Sequence, residues 1–268
     1  TDLTSRKRVE TTLNHREPDR VPFDLGGSIL TGIHEQAYRR LRAYLGLPAV
    51  EVEIEDAFQR LAKVDKDVKD RLEVDVYGIN PGPPRGFEMP QWSEDGYDKF
   101  RDEWGIEWWR PQDGGLYYDM RVHPLADIDT VGELSRVTFP DPLDPGRYEG
   151  IAEQADHLMN TRRVATILGR NAPGILEIAL WTRGPETYYC DLLVNRPFAE
   201  GLLDVVLENK MKYWAHVLER VGENVMMVSE ADDLCTQAGM LISPELYRDL
   251  IKPRHARLFE HIRTHAAV

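Results

Sequence analysis

The stretch Asn224-Val225-Met226-Met227-Val228-Ser229-Glu230-Ala231-Asp232-Asp233 decides how the rest of the chain is read. Its apolar run is unbroken, which suits a parallel strand buried on both faces rather than a half-exposed one. Upstream lies a long helix from about Ala199 to Val221. Its apolar line is Leu203, Leu207, Met211, Trp214, Leu218 and Val221, the spacing of one helix face. Gly222 is a natural stop for it. Downstream, Ser243-Pro244-Glu245 starts a final helix, with Ser as N-cap and Pro in the first turn. Pro253 should kink or interrupt that helix, because it has no N–H to donate.

The same alternation runs backwards through the chain. Arg163-Val164-Ala165-Thr166-Ile167-Leu168 is expected as a strand, with helical segments at about Ile175 to Trp181 and Pro185 to Val194. Asn195-Arg196-Pro197 breaks the chain after them. A helix is expected at about Tyr148 to Asn160. Nearer the start, Val21-Pro22-Phe23-Asp24-Leu25 and Val74-Asp75-Val76-Tyr77-Gly78-Ile79 read as strands. Helices are expected at about Thr4 to His15, Gly32 to Leu45 and Asp56 to Leu72. Strand followed by helix, several times over, points to a parallel sheet with right-handed crossovers. No glycine-rich phosphate loop follows any strand, which favours a barrel over an open nucleotide-binding sheet. The stretch at about 85–145 differs. It is rich in aromatics, Gly and Pro, and reads as a β-rich excursion. Trp92, Trp104, Trp108 and Trp109 either stack on a flat ligand or, the blander reading, cap an open barrel end.

The 268 residues carry a net charge of -13, with 42% hydrophobic and 29% charged content. That describes an ordinary globular chain, taken here as one domain over 1–268. The charge argues against nucleic acid, whose binders must neutralise phosphates, and against an anionic membrane surface. No apolar run reaches the roughly 18 residues of a membrane span. The two cysteines, Cys190 and Cys235, imply no disulfide framework, so a reducing cytoplasm is expected. Cys190 is expected in the core, and Cys235 reads as an incidental thiol with no His partner.

In a barrel, the loops leaving the C-terminal strand ends form the active site. That rule selects Asp24, Ser28, Thr31 and His34 after the first strand, and Arg170 and Asn171 after the strand ending at Leu168. It selects Glu230, Asp232, Asp233 and Gln237 after the strand ending at Ser229. Three carboxylates so close together repel one another, and one can hold a raised pKa and act as general acid or base. The plainer alternative is that Asp232 and Asp233 cap a helix or turn, while Glu230 pairs with a nearby Arg. Asp24 can instead hydrogen-bond a loop amide. His261 and His265 have metal-type spacing without an evident third ligand, so a solvated helix face is favoured.

Three groups of segments occur in a telling order: Ser5-Arg6-Lys7-Arg8-Val9 through Glu17-Pro18-Asp19-Arg20-Val21-Pro22, then Asn171-Ala172-Pro173 with Arg183-Gly184. The last is Glu230-Ala231-Asp232-Asp233 with Ile242-Ser243-Pro244-Glu245-Leu246-Tyr247 and Lys252-Pro253. Together they resemble the uroporphyrinogen decarboxylase superfamily along the whole chain. The resemblance implies a (β/α)8 TIM-type barrel and one of two activities. One is cofactor-free decarboxylation of uroporphyrinogen. The other is methyl transfer involving corrinoid proteins or related acceptors, generally with zinc. Where true decarboxylases carry an Arg loop for substrate carboxylates, this chain has Asp24-Leu25-Gly26-Gly27-Ser28-Ile29-Leu30. Where they carry an Asp, it has Asn80-Pro81-Gly82, and their active-site Tyr falls near Ala179 or Leu180. The sequence is therefore closer to the methyltransferase branch, with a corrinoid-bound or O/N-linked methyl donor. Glu230, Asp232 and Asp233 are its expected catalytic groups; Asp24, His34, Asn171 and Gln237 are its expected substrate contacts. The zinc ligands implied by that branch, a His-x-Cys pair and a later Cys, would fall beyond Val268. The barrel is accordingly expected to be incomplete at its C-terminus. The expected partners are a small-molecule substrate or a corrinoid protein, and the resemblance is compatible with a homodimer. The alternatives are a tetrapyrrole decarboxylase and a non-catalytic binding barrel.

Overall fold

A computed structural model describes residues 2–266. Among the described residues, nine strands form three sheets: β1 (Ile54–Asp56) and β2 (Leu61–Ala62); β3 (Val76–Ile79); the meander β4 (Gln91–Glu94), β5 (Tyr97–Arg101), β6 (Glu107–Pro111) and β7 (Asp119–Val122); and β8 (Ala165–Leu168) and β9 (Met227–Val228). The central sheet is parallel, in the order β3-β8-β9. Val76 lies opposite Ala165 and Ile79 opposite Leu168; Ile167 lies opposite Met227 and Leu168 opposite Val228. This is an alternating α/β architecture, as expected. The expected (β/α)8 barrel is not closed among the described residues, because only three strands join the parallel sheet.

The fourth strand read from the sequence, Val21–Leu25, is extended but irregular. Pro22 has no N–H, and the N–H of Phe23 donates to the Asp75 carboxylate at 2.9 Å rather than to a strand carbonyl. One backbone bond remains, from Asp75 N to Phe23 O at 2.8 Å. Asp75 is fully buried and also accepts from Arg8 and Arg20, each at 2.6 Å. These bonds tie the first helix (Ser5–Leu13), the extended segment and β3 together.

The helix expected over Asp56–Leu72 is replaced by the β1-β2 hairpin and a short helix, Lys66–Arg71. Leu61, Val64, Val68 and Leu72 do follow helical spacing. Arg60, however, sits at φ 56, a left-handed conformation that no helix interior accommodates. Ala62 then donates to Ile33 O at 2.8 Å. The excursion forms as expected. It is a four-stranded antiparallel meander, although β4 escaped the sequence reading.

The main core gathers around the helix Arg196–Val221. Of the expected line it buries all but the half-buried Met211, and it also buries Leu202, Val206, Lys210, Tyr213 and Val217. A helix buried on two sides packs against the flanking helices Ile175–Arg183, Pro185–Val194 and Lys252–His265. A π-turn over Tyr247–Ile251 precedes Pro253, the expected interruption, since Pro253 cannot donate to the carbonyl one turn back. Cys190, expected in the core, is exposed, as is Cys235. No described helix is long and apolar enough to cross a membrane.

Candidate active site

The loops leaving β8 and β9 meet the aromatic meander and the Asp56–Gln59 turn around a cleft of about 440 Å³. One wall is aromatic. Phe58 packs edge-on against Trp108, with ring centroids 4.4 Å apart, and Trp108 packs edge-on against Trp181 at 5.1 Å. Tyr117 and Tyr118 complete it. Behind this wall the Trp108 indole N–H donates to Asp102 at 2.8 Å. Burial pushes the Asp102 carboxyl up to about 6, against the donors that favour its charge.

The opposite wall carries Arg170, Asn171, Glu177 and Asp233, with Asp56 beside them. Glu177 is the third residue of the helix Ile175–Arg183 and folds back to accept from Gly174 N at 2.7 Å. Its carboxyl is pushed up to about 7, chiefly by burial, with Asp232 and Asp233 adding to the shift. Arg170 opposes it from 3.8 Å, too far for a hydrogen bond, because its guanidinium donates instead to Ala231 O at 2.8 Å. Asp56 is also raised, first by burial. Two carboxyls with raised pKa values in one cleft fit acid–base or charge-binding chemistry.

The expected site residues separate. Asp233 and Asn171 line the cleft. Asp232 does not; its two oxygens accept from Leu176 N at 2.8 Å and Glu177 N at 2.9 Å, and His255 Nε2 lies 3.0 Å away. It therefore caps the helix that carries Glu177, as the plainer alternative anticipated. Glu230 points away from the cleft into the core. It meets the Lys210 ammonium at 3.0 Å and the Trp214 indole N–H at 2.6 Å. Its ionic partner is a lysine, not the arginine suggested by the plainer reading. Lys210 is fully buried and also donates to Ala172 O and Pro173 O, at 2.9 and 3.0 Å. That places it as a strut between the β8 and β9 loops.

Asp24 accepts from Gly27 N at 2.9 Å and Thr31 Oγ1 at 3.1 Å, and burial raises its pKa. It closes a turn outside the cleft, the structural alternative. His34 caps the helix Glu35–Tyr44 through Nδ1, which accepts from Gln36 N at 3.2 Å; its Nε2 lies 3.1 Å from Leu116 O. Both ring nitrogens are occupied, and His34 is not among the cleft residues. Gln237 is exposed in the turn closed by Thr236 and Gly239, also away from the cleft. His261 Nε2 donates to Met211 O, and His265 Nδ1 to His261 O, each at 2.8 Å. Among the described residues, no three His, Cys, Asp or Glu side chains are grouped to hold a metal ion.

Asp56 and Glu177 escaped the sequence reading. For Glu177 a signal was present: one acid within the otherwise apolar run Ile175 to Leu180. Asp56 stands among the acids of Glu51 to Asp56 and offers none. A larger cavity of about 530 Å³ lies beside β3. Two of its carboxylates are engaged, Glu53 by the Lys63 ammonium at 2.8 Å and Glu55 by the Asn80 amide at 2.6 Å.

Gly174 is where the β8 and β9 loops touch. A Cβ there would stand 2.3 Å from the Asp232 carboxyl and 2.5 Å from Ala231 O. Gly174→Ala is therefore expected to displace Asp232 from its cap and cost about 1–3 kcal/mol. Urea unfolding checks this; an unchanged midpoint would mean that the Asp232 cap is not rigid.

A solved methyltransferase from Methanosarcina mazei resembles the chain over 97% of its length and 68% of its own, with a TM-score of 0.53 and 15% identity. No protein-family model and no curated protein sequence matches the chain. At that identity the likeness speaks for the fold: a methyltransferase shares this arrangement of parallel strands and helices.

Proposed function

We propose that the chain is a methyl-transfer enzyme of the uroporphyrinogen decarboxylase superfamily, whose cleft holds a small O- or N-linked methyl donor. The carrying observation is the pairing of the aromatic wall with Asp56, Glu177 and Asp233 at the C-terminal ends of β8 and β9. That is where α/β folds place their chemistry. The fold shared with a methyltransferase supports the same reading. An octacarboxylate is disfavoured because three carboxylates face one guanidinium among the cleft's lining residues, and that guanidinium is already engaged.

In this reading the rings and the carboxylates orient the donor, and Arg170 steadies the β9 loop through Ala231. The methyl carbon leaves its heteroatom and bonds to the lone pair of an acceptor nucleophile, proposed to be a reduced corrinoid, free or carried by a partner protein. An oxygen leaving group takes a proton from protonated Glu177, which water then restores. A protonated amine leaves neutral and needs none. No step is routed through zinc, for which the described residues supply no ligand set. Two unpaired thiols fit the cytoplasm as its compartment.

The test is to mix the protein with chemically reduced cobalamin and a panel of methanol, methoxyarenes and methylamines, following methylcobalamin by absorbance. Uroporphyrinogen is run in parallel. Methylcobalamin should form from at least one donor, with uroporphyrinogen untouched. Decarboxylation of uroporphyrinogen, or no methylation from any donor, would overturn the reading.

A further inference from the structure

We propose that His255 is a positioning residue for Glu177: through Asp232 it holds the start of the Glu177 helix and sets the negative charge that the Glu177 carboxyl faces. The inference rests on the proposed function only for the use of Glu177 as the acid of the cleft. The geometry stands without it.

The link is a chain of contacts between three elements. His255 stands near the start of the helix Lys252–His265, and its Nε2 lies 3.0 Å from Asp232 Oδ2. The same oxygen accepts from Leu176 N at 2.8 Å, and Asp232 Oδ1 accepts from Glu177 N at 2.9 Å. Glu177 in turn folds back to Gly174 N at 2.7 Å. A carboxylate has no hydrogen to give, so Nε2–H is the donor in the His255 contact. That fixes the tautomer of the neutral ring. The ring stacks on Phe259, with centroids 5.9 Å apart, and tilts against Tyr247 at 6.0 Å. Only 13% of the His255 side chain and 3% of the Asp232 side chain are exposed, so water competes little for their contact.

Capping the helix needs only the two backbone bonds. The third donor acts on charge. A negative neighbour makes a buried carboxyl harder to ionise. Glu177 is raised first by burial; Asp232 and Asp233 add to the shift, and Arg170, 3.8 Å away, opposes it. Lys210 and Tyr188 also feel the Asp232 charge, but both are engaged elsewhere. Lys210 bonds Glu230 and two carbonyls, and Tyr188 donates to Ala199 O at 3.0 Å. His255 bonds Asp232 directly and is not among the residues lining the cleft. It can therefore tune the acid without touching a ligand.

The direction of the effect follows. An N–H pointed at Asp232 draws on its charge and weakens the field that reaches Glu177. A second proton on the ring, at Nδ1, weakens it further. Without the imidazole, Asp232 stands more negative towards Glu177, which then keeps its proton to higher pH. The sign is the same for the neutral and the charged ring.

The test follows the Glu177 carboxyl by heteronuclear NMR of the whole chain, with its resonance assigned by its loss in Glu177→Gln. His255→Phe keeps a ring against Phe259 and removes the donor. His255→Gln keeps an N–H where Nε2 stands. In His255→Phe the Glu177 midpoint should rise from about 7 by roughly half a pH unit. In His255→Gln it should stay at the parent value. A merely structural role would lower the unfolding midpoint in urea and leave the titration in place. An unmoved titration in His255→Phe, or the same shift in His255→Gln, would overturn the inference. Should His255→Phe not fold, the parent carries the test. The resonance of the proton on His255 Nε2 should shift as Glu177 ionises and shift less in Glu177→Gln; equal shifts would overturn the inference. A Glu177 midpoint that moves as expected, with no methyl transfer from any donor, would count against the enzymatic reading alone. Methyl transfer with an unmoved midpoint would count against this inference alone.

Discussion

Lys210→Met is expected to lower stability by about 3–5 kcal/mol, the range seen when one member of a buried ion pair is removed. Lys210 has no exposed surface, and all three of its protons are engaged, on Glu230, Ala172 O and Pro173 O. Methionine keeps most of the packing and removes the charge, so the loss reports on electrostatics and not on a cavity. What remains is a Glu230 carboxylate in the core with only the Trp214 indole N–H at 2.6 Å. The same change frees the carbonyls of Ala172 and Pro173, both in the cleft wall. Adding Glu230→Leu should recover about 1–3 kcal/mol, since the uncompensated charge is the main cost. Urea titrations of the two single variants and the double variant measure the cycle. A Lys210→Met protein within about 0.5 kcal/mol of the parent would show that Glu230 simply takes up a proton.

Glu230 also explains why the most prominent motif of the sequence was only half legible. The acidic run after β9 invites reading as one cluster. In an extended segment, however, side chains alternate. Ala231 and Asp233 face the cleft, while Glu230 and Asp232 face the helices behind it. The apolar run before it was read correctly as a parallel strand, but only Met227–Val228 pair with β8, and both are half-buried rather than buried on both faces. The helix Pro185–Val194 was legible to the residue, through Pro185 at its first turn and Asn195 after its end. The hairpin at Ile54–Ala62 was not. Its apolar spacing mimics a helix, and nothing local announces that Arg60 adopts a left-handed turn. The lone acid in an apolar run marked Glu177, but its place in the site appears only when the fold brings the start of its helix under the β9 loop. That contact is long-range, and periodicity carries no record of it.

Glu177→Gln should make the protein more stable at alkaline pH and remove part of its pH dependence. Burial raises this carboxyl from its ordinary 4.5 to about 7. A raised folded-state value means that the folded chain holds the proton more tightly than the unfolded chain does. The protonated form's contribution is therefore complete below about pH 4.5 and is lost as pH rises through about 7. The distance between those two values corresponds to roughly 3 kcal/mol. Glutamine resembles the protonated acid and keeps an oxygen for Gly174 N, so the variant should avoid that loss. The difference in unfolding free energy between variant and parent should be near zero at pH 4.5 and grow to roughly 3 kcal/mol by pH 8. Asp56 and Asp102, also raised by burial, titrate in both proteins and cancel from that difference. A difference that stays flat across this range would mean that Glu177 titrates as an ordinary carboxylate. If the difference grows as expected, the fold holds a destabilising charge at the mouth of the cleft near neutral pH.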